Sequence, residues 1–441
     1  MDKNIDQLFN ELWPICRSVA GPGYDKSLSI LKKHIPFKIK KIKSGKKIFD
    51  WRIPKEWELI HGELLTEKGD LILSTKDTNL HVLNFSEPYS GLVSYEELNK
   101  HLFSNKKLPD AVPYVTSYYK KNWGLCISYN KKKKLNKKIK YRVNIKTRKK
   151  DGFLKYGSCF LKGKSKETII ITSYLCHPSM ANNELSGPLA MVALYKKLFN
   201  LKKRHFNYHF LIWPETIGAI AYLANSKKSE INNIFAGLVL SCLGGPQKKI
   251  TFKQSRRNWL GETTYIDDMV NFFTKKEARK FNKRKFSPSW GSDERQLCSP
   301  GVNLPVIQVS KTFYGEYKEY HTNFDNKSFM NIKSLGQSID KVFLFIKFLE
   351  FNRNNLKSTV KAGEPMLGKR NLYPNINSTN NYDEIKNINI NKTTSLNTLL
   401  DVISLIDGKR NIVEISNFLN LNINDLINAV ELLLSKKLVK F

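Results

Sequence analysis

Residues 167–199 read ETIIITSYLCHPSMANNELSGPLAMVALYKKLF, and this stretch decides the fold. The β-branched run from Thr168 to Ser173 predicts a buried strand, and the apolar pattern from Pro188 to Phe199 predicts a helix. His177, two asparagines and Glu184 lie between them. Because α/β proteins bind ligands where strands end and helices begin, the stretch predicts a strand–helix unit with a functional site at its seam.

The same alternation of strands and helices continues downstream. Three further apolar runs predict strands, and three patterned segments predict helices. The strands are NYHFLIWP (207–214), AGLVLSCLG (236–244) and NLPVIQVS (303–310), and the helices are IGAIAYLANSKK (217–228), TYIDDMVNFFTKKEARKF (264–281) and a long one at 327–354. Nearly continuous apolar strands are buried on both faces. The sequence therefore predicts an α/β fold, a mainly parallel sheet with helices on both faces.

Changes in composition divide the chain into three units and a linker. Residues 1–47 and 150–355 form the predicted α/β domain, which is discontinuous because residues 48–149 insert a small β-rich domain of short, aromatic, alternating runs. Residues 356–391 are rich in Asn, Ser, Gly and Pro and predict a linker. Residues 392–441 predict three helices and a short strand, with the spacing of a winged helix.

The inserted domain contains several aromatic side chains that lend themselves to two interpretations. They form either the core of this small domain or a platform for a ligand. From its position in the chain, we expect the domain to wall the cleft and limit substrate size. The residues are Trp51, Trp57, Tyr118, Tyr119 and Trp123.

The charge balance is strongly basic, with 74 Lys+Arg against 39 Asp+Glu and a formal net charge of +35. This favours a polyanionic partner, or it reflects base composition, since Lys, Asn and Ile share AT-rich codons. Six cysteines without a C-x-x-C pair indicate reduced thiols. Without a signal peptide, or an apolar run of the roughly 18 residues that span a bilayer, we expect a cytoplasmic protein with no membrane partner. The sequence is also compatible with a homo-oligomer.

Polar residues that follow the predicted strands are the candidates for chemistry. His177 follows the first strand, Glu215 the second, and Ser241 the third. His321 lies beyond the last strand and Asp293 just before it. Because parallel strands end at the same edge of a sheet, we expect these side chains to converge.

Two imidazoles and one carboxylate hold a divalent metal ion with an open coordination position. We therefore predict His177, Asp293 and His321 as metal ligands and Glu215 as the general base for a metal-activated water. Two structural alternatives remain: Glu215 caps the helix that follows it, and Asp293 caps a turn.

Four neighbouring residues are further candidates for binding metal or substrate. They are Asn183, Glu184, Glu294 and Arg295. Arg295 either holds a substrate carboxylate or pairs with Glu294.

Four long motifs carry a family resemblance. CHPSMANNELSGP, PETIGAIAYL, GSDERQLCSPGVNLPV and YGEYKEYHTNFDN resemble the aminopeptidase-like proteins of bacterial polysaccharide-biosynthesis loci, which are similar in fold to zinc aminopeptidases and glutaminyl cyclases. The resemblance covers nearly the whole chain, including the inserted domain and the winged helix. It implies a phosphorylase/hydrolase-like core, zinc and aminopeptidase-type chemistry. It matches His177 and His321 to histidine ligands and Glu215 to the general base.

The sequence also departs from the zinc aminopeptidases. Asn183 replaces their bridging aspartate, Thr216 replaces their second glutamate, and Ser241 and Cys242 stand where they have a further aspartate. A site for two zinc ions would therefore lack ligands, and we expect one zinc per chain. Asp293 is the first candidate for its carboxylate ligand, and Glu184 is the second. Because amide oxygens are weak zinc ligands, we expect Asn183 to position substrate or a water.

These observations favour a zinc-dependent hydrolase that cleaves an amide or peptide bond next to a free amine. The substrate would be a small peptide or an aminoacylated sugar, as expected in surface polysaccharide biosynthesis. One alternative is a catalytically silent binding or scaffold protein with the same fold. The other is a nucleic-acid-binding regulator, which the final helix disfavours because it carries Asp425 and Glu431 and no arginine.

Overall fold

The computed structural model describes residues 2–201, 203–353, 355–373, 377–378, 381–382, 385–387 and 392–440. Residues 374–376, 379–380, 383–384 and 388–391 of the predicted linker lie outside the described residues. In the part of the chain that is described, no helix has the length and apolar character needed to cross a membrane.

Fourteen helices are present in the described chain, and short 3₁₀ turns occur at Asn79–His81 and Gly368–Arg370. The helices are α1 (Asp2–Leu12), α2 (Pro22–Lys32), α3 (Tyr95–Lys100), α4 (Tyr129–Lys133), α5 (Ser186–Phe199), α6 (Ile217–Asn225), α7 (Lys228–Asn232), α8 (Arg256–Trp259), α9 (Tyr265–Lys276), α10 (Glu294–Leu297), α11 (Ile332–Arg353), α12 (Leu396–Leu405), α13 (Ile412–Phe418) and α14 (Ile423–Ser435).

The strands range from two-residue pairs to eleven residues. They are β1 (Lys38–Lys43), β2 (Lys47–Ile48), β3 (Trp51–Arg52), β4 (Glu56–Thr66), β5 (Leu71–Ser74), β6 (Tyr89–Ser94), β7 (Leu102–Phe103), β8 (Leu125–Cys126), β9 (Lys140–Lys150), β10 (Phe153–Leu161), β11 (Thr168–Tyr174), β12 (Asn207–Trp213), β13 (Ile234–Leu240), β14 (Ile250–Lys253), β15 (Phe281–Arg284), β16 (Val306–Ser310), β17 (Lys357–Ser358), β18 (Asn377–Ser378), β19 (Asn381–Tyr382), β20 (Ile385–Asn387), β21 (Lys392–Thr394) and β22 (Val439–Lys440).

The central sheet has eight strands in the order β1-β10-β12-β11-β13-β16-β14-β15. Its middle is parallel, since β11 pairs with β12 and β13, and β13 with β16. The strands β1 and β10 on one side and the β14–β16 pairing on the other are antiparallel. The predicted α/β fold is confirmed. The antiparallel strands were not predicted, because KIKKIK in β1 has no apolar run.

The core explains why β11 and α5 form the centre of the domain. Every residue of β11 is buried, as expected for a strand covered on both faces. Buried side chains of α5, α11 and α1 pack on one face, and α6 with residues from the start of the inserted domain packs on the other. The central strands thus have fixed ends, from which the loops of the site extend.

The inserted domain has its own four-stranded antiparallel sheet in the order β5-β4-β9-β6. A separate cluster that includes Leu64, Val143 and Ile145 forms its core. The domain also contacts the central domain directly, since the backbone N–H of Tyr114 donates to the carbonyl of His321 at 2.7 Å. This contact joins the insertion to the loop after β16.

The C-terminal helices pack against the central domain. Eight of the thirteen residues of α14 are buried, and Glu431 of this helix pairs with Lys347 of α11 at 2.7 Å. The strand β22 pairs with β17, which lies at the start of the predicted linker. The helix α14 therefore contacts the central domain through α11.

His209 on β12 makes stability depend on pH. Its Nε2 lies 2.8 Å from the Ser158 hydroxyl, and burial lowers the pKa of His209 from 6.5 to about 4. A depressed histidine pKa gives stability that is complete above pH 6.5 and is lost as the pH falls towards 4, at most about 3 kcal/mol. We expect His209→Gln, which cannot take up the proton, to reduce the stability difference between pH 7.5 and pH 4.5 in urea unfolding. An unchanged difference would contradict this assignment.

Candidate functional site

The loops that leave the parallel strands bring most of the predicted residues together. His177 lies just after β11, Glu215 just after β12, and His321 in the loop after β16. The rings of His177 and His321 have centroids 5.4 Å apart, and Nε2 of His177 lies 3.5 Å from Oε2 of Glu215. The carboxyl edge of the sheet is therefore where these side chains meet.

Two buried charged residues hold His177. Its Nδ1 lies 2.7 Å from Oε2 of Glu184, and the Arg17 guanidinium lies 3.8 Å from the other carboxylate oxygen. Nε of Arg17 also donates to the carbonyl of His177 at 3.0 Å. Both Arg17 and Glu184 have no exposed side-chain surface. With Nδ1 bonded to a carboxylate, Nε2 of His177 is the nitrogen that faces Glu215.

Local backbone structure places Glu184 beneath His177. Residues Ala181–Leu185 form a π-helical turn that leads into α5. Such turns often occur at functional sites, because the extra residue re-aims the side chains. Burial disfavours the imidazolium of His177, but the neighbouring Cys176 sulfur and the Glu184 carboxylate outweigh it and raise the pKa of His177 well above its usual value.

Glu215 has the contacts of a positioned base. Its Oε1 accepts a hydrogen bond from the Ser292 hydroxyl at 2.5 Å, and its side chain is 28% exposed. Burial raises the pKa of Glu215, whereas the positive charge of His177 and the Ser292 hydrogen bond lower it. The Glu215 side chain makes no cap on α6. The result is a carboxylate of increased basicity facing His177.

Asp293 supports the loop that carries Glu215. Its two carboxylate oxygens accept hydrogen bonds from Nε1 of Trp213 and the backbone N–H of Thr216, each at 2.7 Å. Burial and the nearby Glu215 raise the pKa of Asp293. The contact with Thr216, at the N-terminal end of α6, agrees with the alternative in which Asp293 caps a turn.

His321 presents a nitrogen without a partner. Its Nε2 is buried and makes no hydrogen bond to the residues described. The ring stacks on Tyr320 at 3.9 Å between centroids, and Tyr114 contacts both histidine rings at 5.2 Å. Burial, and then the positive charge of His177, lower the pKa of His321 well below its usual value. A neutral imidazole of this kind can bind a metal ion.

Asn183 is held in place by Asp325. The carboxylate of Asp325 accepts the backbone N–H groups of Asn182 at 2.6 Å and Asn183 at 2.8 Å. The side-chain amide of Asn183 donates to Tyr174 at 3.1 Å, while its Oδ1 is buried and has no partner within the described chain. This oxygen is free to accept a hydrogen bond from a ligand.

Glu294 and Arg295 have separate surroundings. Glu294 is buried, pairs with Lys253 at 2.8 Å and accepts the backbone N–H of Ser292 at 2.9 Å. The expected alternative pairing of Arg295 with Glu294 is therefore absent among the described contacts. Glu294 has a structural ion pair, and Arg295 remains a candidate for substrate binding.

These loops contain strained backbone. Of the ten non-glycine residues with positive φ angles in the described chain, four lie here, namely Ser179 at 48°, Thr216 at 64°, Cys242 at 53° and His321 at 54°. A β-branched residue such as Thr216 rarely adopts this conformation. Strained residues often mark functional sites, because the surrounding structure must hold them there.

One group of possible metal ligands is fully buried. In the described part of the chain, Cys176, His177 and Glu184 are the residues whose ligand atoms all lie within 4.8 Å of one another. These are ligand types that zinc accepts. However, the Arg17 cation already lies beside Glu184, and a second cation there would be repelled. These three residues are better explained as a cluster that orients His177 than as the ligands of a catalytic metal ion.

The contacts of the two histidines fit a single ion. A histidine that binds metal through Nε2 usually donates its other nitrogen to a carboxylate, as His177 does to Glu184. The unpartnered Nε2 of His321 would gain a partner in a metal ion. A second ion finds no acidic ligands at Asn183, Thr216 or Cys242. Among the described residues, the predicted set His177, Asp293 and His321 does not come within the 4.8 Å spacing.

A pocket of about 270 Å³ opens onto part of this site. Cys176, His177 and Glu215 line one part of it. The inserted domain contributes Trp51, Tyr118 and Tyr119, so the insertion forms a wall of the pocket as we expected. Trp57, in contrast, is a core residue with 3% exposure.

Sequence reasoning missed several contributors. Arg17 lies 160 positions from His177, and no motif marks it. Ser292 and Asp325 lie inside two of the motifs quoted above, beside residues that we singled out. Their position beside candidate residues could have identified them from the sequence, whereas the contacts of Arg17 could be identified only from the structure.

Comparison with known proteins identifies the family. A family model described as a domain of unknown function, DUF4910, matches residues 6–352. The chain belongs to the DUF4910 family. A second model, described as a winged helix-turn-helix, matches residues 354–441, which confirms the predicted C-terminal domain.

Relatives of this DUF4910 protein agree with the resemblance. It is 38% identical over 401 residues, 90% of each chain, to a Clostridium acetobutylicum protein named for polysaccharide biosynthesis and an aminopeptidase-like domain. A crystal structure from the same organism, described as a peptidase, has a TM-score of 0.82 and 33% identity, covering 100% of this chain and 96% of that one. The resemblance to this family is confirmed.

More distant structures show the fold of the DUF4910 domain. A zinc aminopeptidase from Bacillus subtilis has a TM-score of 0.55 at 12% identity, covering 78% of this chain and 94% of that one. An M28 peptidase from Shewanella amazonensis has a TM-score of 0.53 at 13% identity, covering 82% and 94%. The α/β domain therefore has an aminopeptidase-like fold.

Proposed function

We propose that this DUF4910 protein is a single-metal hydrolase that cleaves an amide or peptide bond next to a free amine. The observation that carries the proposal is the position of His177 on the pocket wall. Glu184 holds its Nδ1 at 2.7 Å, and its Nε2 faces Glu215 at 3.5 Å. The aminopeptidase-like fold supports the reaction class.

The metal ligands that we propose are Nε2 of His177 and Nε2 of His321. Asp293 uses both carboxylate oxygens to support the Glu215 loop, which makes it a weaker candidate than the sequence indicated. A bound zinc ion would polarise the substrate carbonyl and lower the pKa of a water molecule. We expect one ion per chain, because the acidic ligands of a second ion are replaced.

The side chains of the protein would then move the proton. Glu215 accepts it from the attacking water at Oε2, while Ser292 fixes Oε1, and Glu215 delivers it to the leaving amine. Its raised pKa favours both transfers. Glu184 holds the Nδ1–H of His177, so that Nε2 is the nitrogen that would bind the ion after it loses its proton. The Asn183 oxygen without a partner would accept an N–H of the substrate amine or an ordered water.

The mouth of the pocket supports a substrate with a flat, partly apolar group. Trp51 and Tyr119 are 37% and 58% exposed, and their rings contact edge to face at 5.9 Å. Exposed aromatic rings beside a catalytic residue form a platform for a ring or an apolar side chain. Together with the polysaccharide name of the Clostridium relative, this favours an aminoacylated sugar over an unselected short peptide.

The dependence on a free amine tests the proposal. We expect zinc-supplied protein to release amino acid from aminoacyl amides and aminoacyl amino sugars, and to leave their N-acetylated forms intact. Amino acid release is measured by mass spectrometry. Release from both forms would contradict the specificity for a free amine. The absence of release from every substrate would favour the catalytically silent alternative.

A further inference from the structure

The Arg295 guanidinium has no ion-pair partner among the described residues. Its side chain is half-buried on α10, and its Nε is buried without a hydrogen bond to any described residue. The nearest carboxylate in sequence, Glu294, is already paired with Lys253 at 2.8 Å. A partly buried cation without a counter-ion is costly, and a bound anion would offset this cost.

The stem of Arg295 is packed in a fixed position. A Cβ atom at Gly291 would lie 2.5 Å from Cγ and 2.7 Å from Cδ of Arg295. Glycine at position 291 therefore allows the arginine stem to lie directly on the backbone of this loop. The guanidinium is held by its stem and not by hydrogen bonds of its own, so that its donors stay available.

Arg295 belongs to the same segment as the residues that position Glu215. Ser292 donates to Glu215, and Asp293 accepts the N–H of Thr216 next to Glu215. The carbonyl of Ser292 in turn accepts the backbone N–H of Arg295 at 3.2 Å. The guanidinium is thus carried by the turn that touches the proposed base.

Two tyrosine phenols lie near Arg295. The phenols of Tyr314 and Tyr320 lie within the electrostatic reach of both Arg295 and Glu215. Burial raises the pKa of each phenol far above its usual value, so both stay uncharged. Tyr320 stacks on His321, which connects this region to the proposed metal side of the site.

We propose that Arg295 binds an anionic group of the substrate, a carboxylate or a phosphate, beside the reacting bond. This inference rests on the proposed function, since it gives the hydrolase a preference for acidic substrates. The planar guanidinium fork matches two oxygens of either anion, which a lysine cannot reproduce.

Anion binding without turnover tests the inference first. We expect calorimetric titration with succinate and with inorganic phosphate to show binding of at least one probe, and Arg295→Gln to weaken it about tenfold or more. Succinate and phosphate distinguish the two anion classes. Arg295→Lys should fall between the wild type and Arg295→Gln. Arg284→Gln is the matched control, because Arg284 is already paired with Glu316.

Turnover gives the second test. We expect the wild type to prefer leucyl-glutamate to leucyl-glutamine, and Arg295→Gln to lose this preference through KM more than through kcat. Equal anion binding by wild type and Arg295→Gln, or no binding by the wild type, would overturn the inference. Binding that requires Arg295 but no hydrolysis of any substrate would support the anion site and contradict the proposed hydrolase.

Discussion

Glu215→Gln is expected to lower kcat/KM for an aminoacyl substrate about 10³-fold, with little change in stability. The amide keeps the size of the carboxylate, and its oxygen can still accept the Ser292 hydroxyl that now lies 2.5 Å from Oε1. It cannot take a proton from water at Oε2, the atom 3.5 Å from Nε2 of His177. Steady-state kinetics with zinc supplied to saturation measure the loss.

A matched control separates this effect from a general loss of charge. Glu96 is exposed on α3 of the inserted domain, and Glu96→Gln should keep wild-type kcat/KM. Zinc content of the Glu215→Gln protein should stay near the wild-type value, because the proposed ligands are the two histidines. Full activity in Glu215→Gln would remove the general base from the mechanism.

Arg17→Met is expected to destabilise the protein by about 3–5 kcal/mol, the cost of breaking a buried ion pair. The change leaves the Glu184 carboxylate buried without its cation, although His177 still contacts it. It also removes donors to the carbonyls of Leu12 at 2.7 Å and His177 at 3.0 Å. The shift of the urea midpoint measures the loss.

A double variant identifies the cause. In Arg17→Met/Glu184→Gln neither member of the buried pair is left charged, so the double variant should lose less than the sum of the two single changes. The exposed Arg52 provides a control for removing an arginine, and Arg52→Met should change stability by less than about 1 kcal/mol. Strict additivity of Arg17 and Glu184 would show that they do not act as a pair.

The main features of the fold could be predicted because they depend on local patterns. The apolar runs of β11, β12, β13 and β16 are buried strands in the structure, and their ends carry the histidines and Glu215. The antiparallel strands could not be predicted in the same way. The charged strand β1 is stabilised by pairing with β10, a contact between residues more than 100 positions apart.

Some residues of the candidate site could likewise be predicted from the sequence, and others could not. Residue type and position after a strand indicated His177, Glu215 and His321. The role of Asp293 depends on which groups reach it, and only the structure shows Trp213 and the Thr216 N–H on its oxygens. Arg17 has no sequence signal, because its partner Glu184 lies 167 positions further along the chain. Long-range partners determine the function of a polar residue as much as its identity does.

The zinc content of the purified, untagged protein tests the central claim most directly. After zinc is supplied and excess is removed, elemental mass spectrometry should find about one ion per chain in the wild type. It should find much less in His177→Ala and His321→Ala, and an unchanged value in the control His34→Ala, a half-buried histidine outside the site. Two ions per chain, no ion in the wild type, or an ion retained in both histidine variants would contradict a single metal held by His177 and His321.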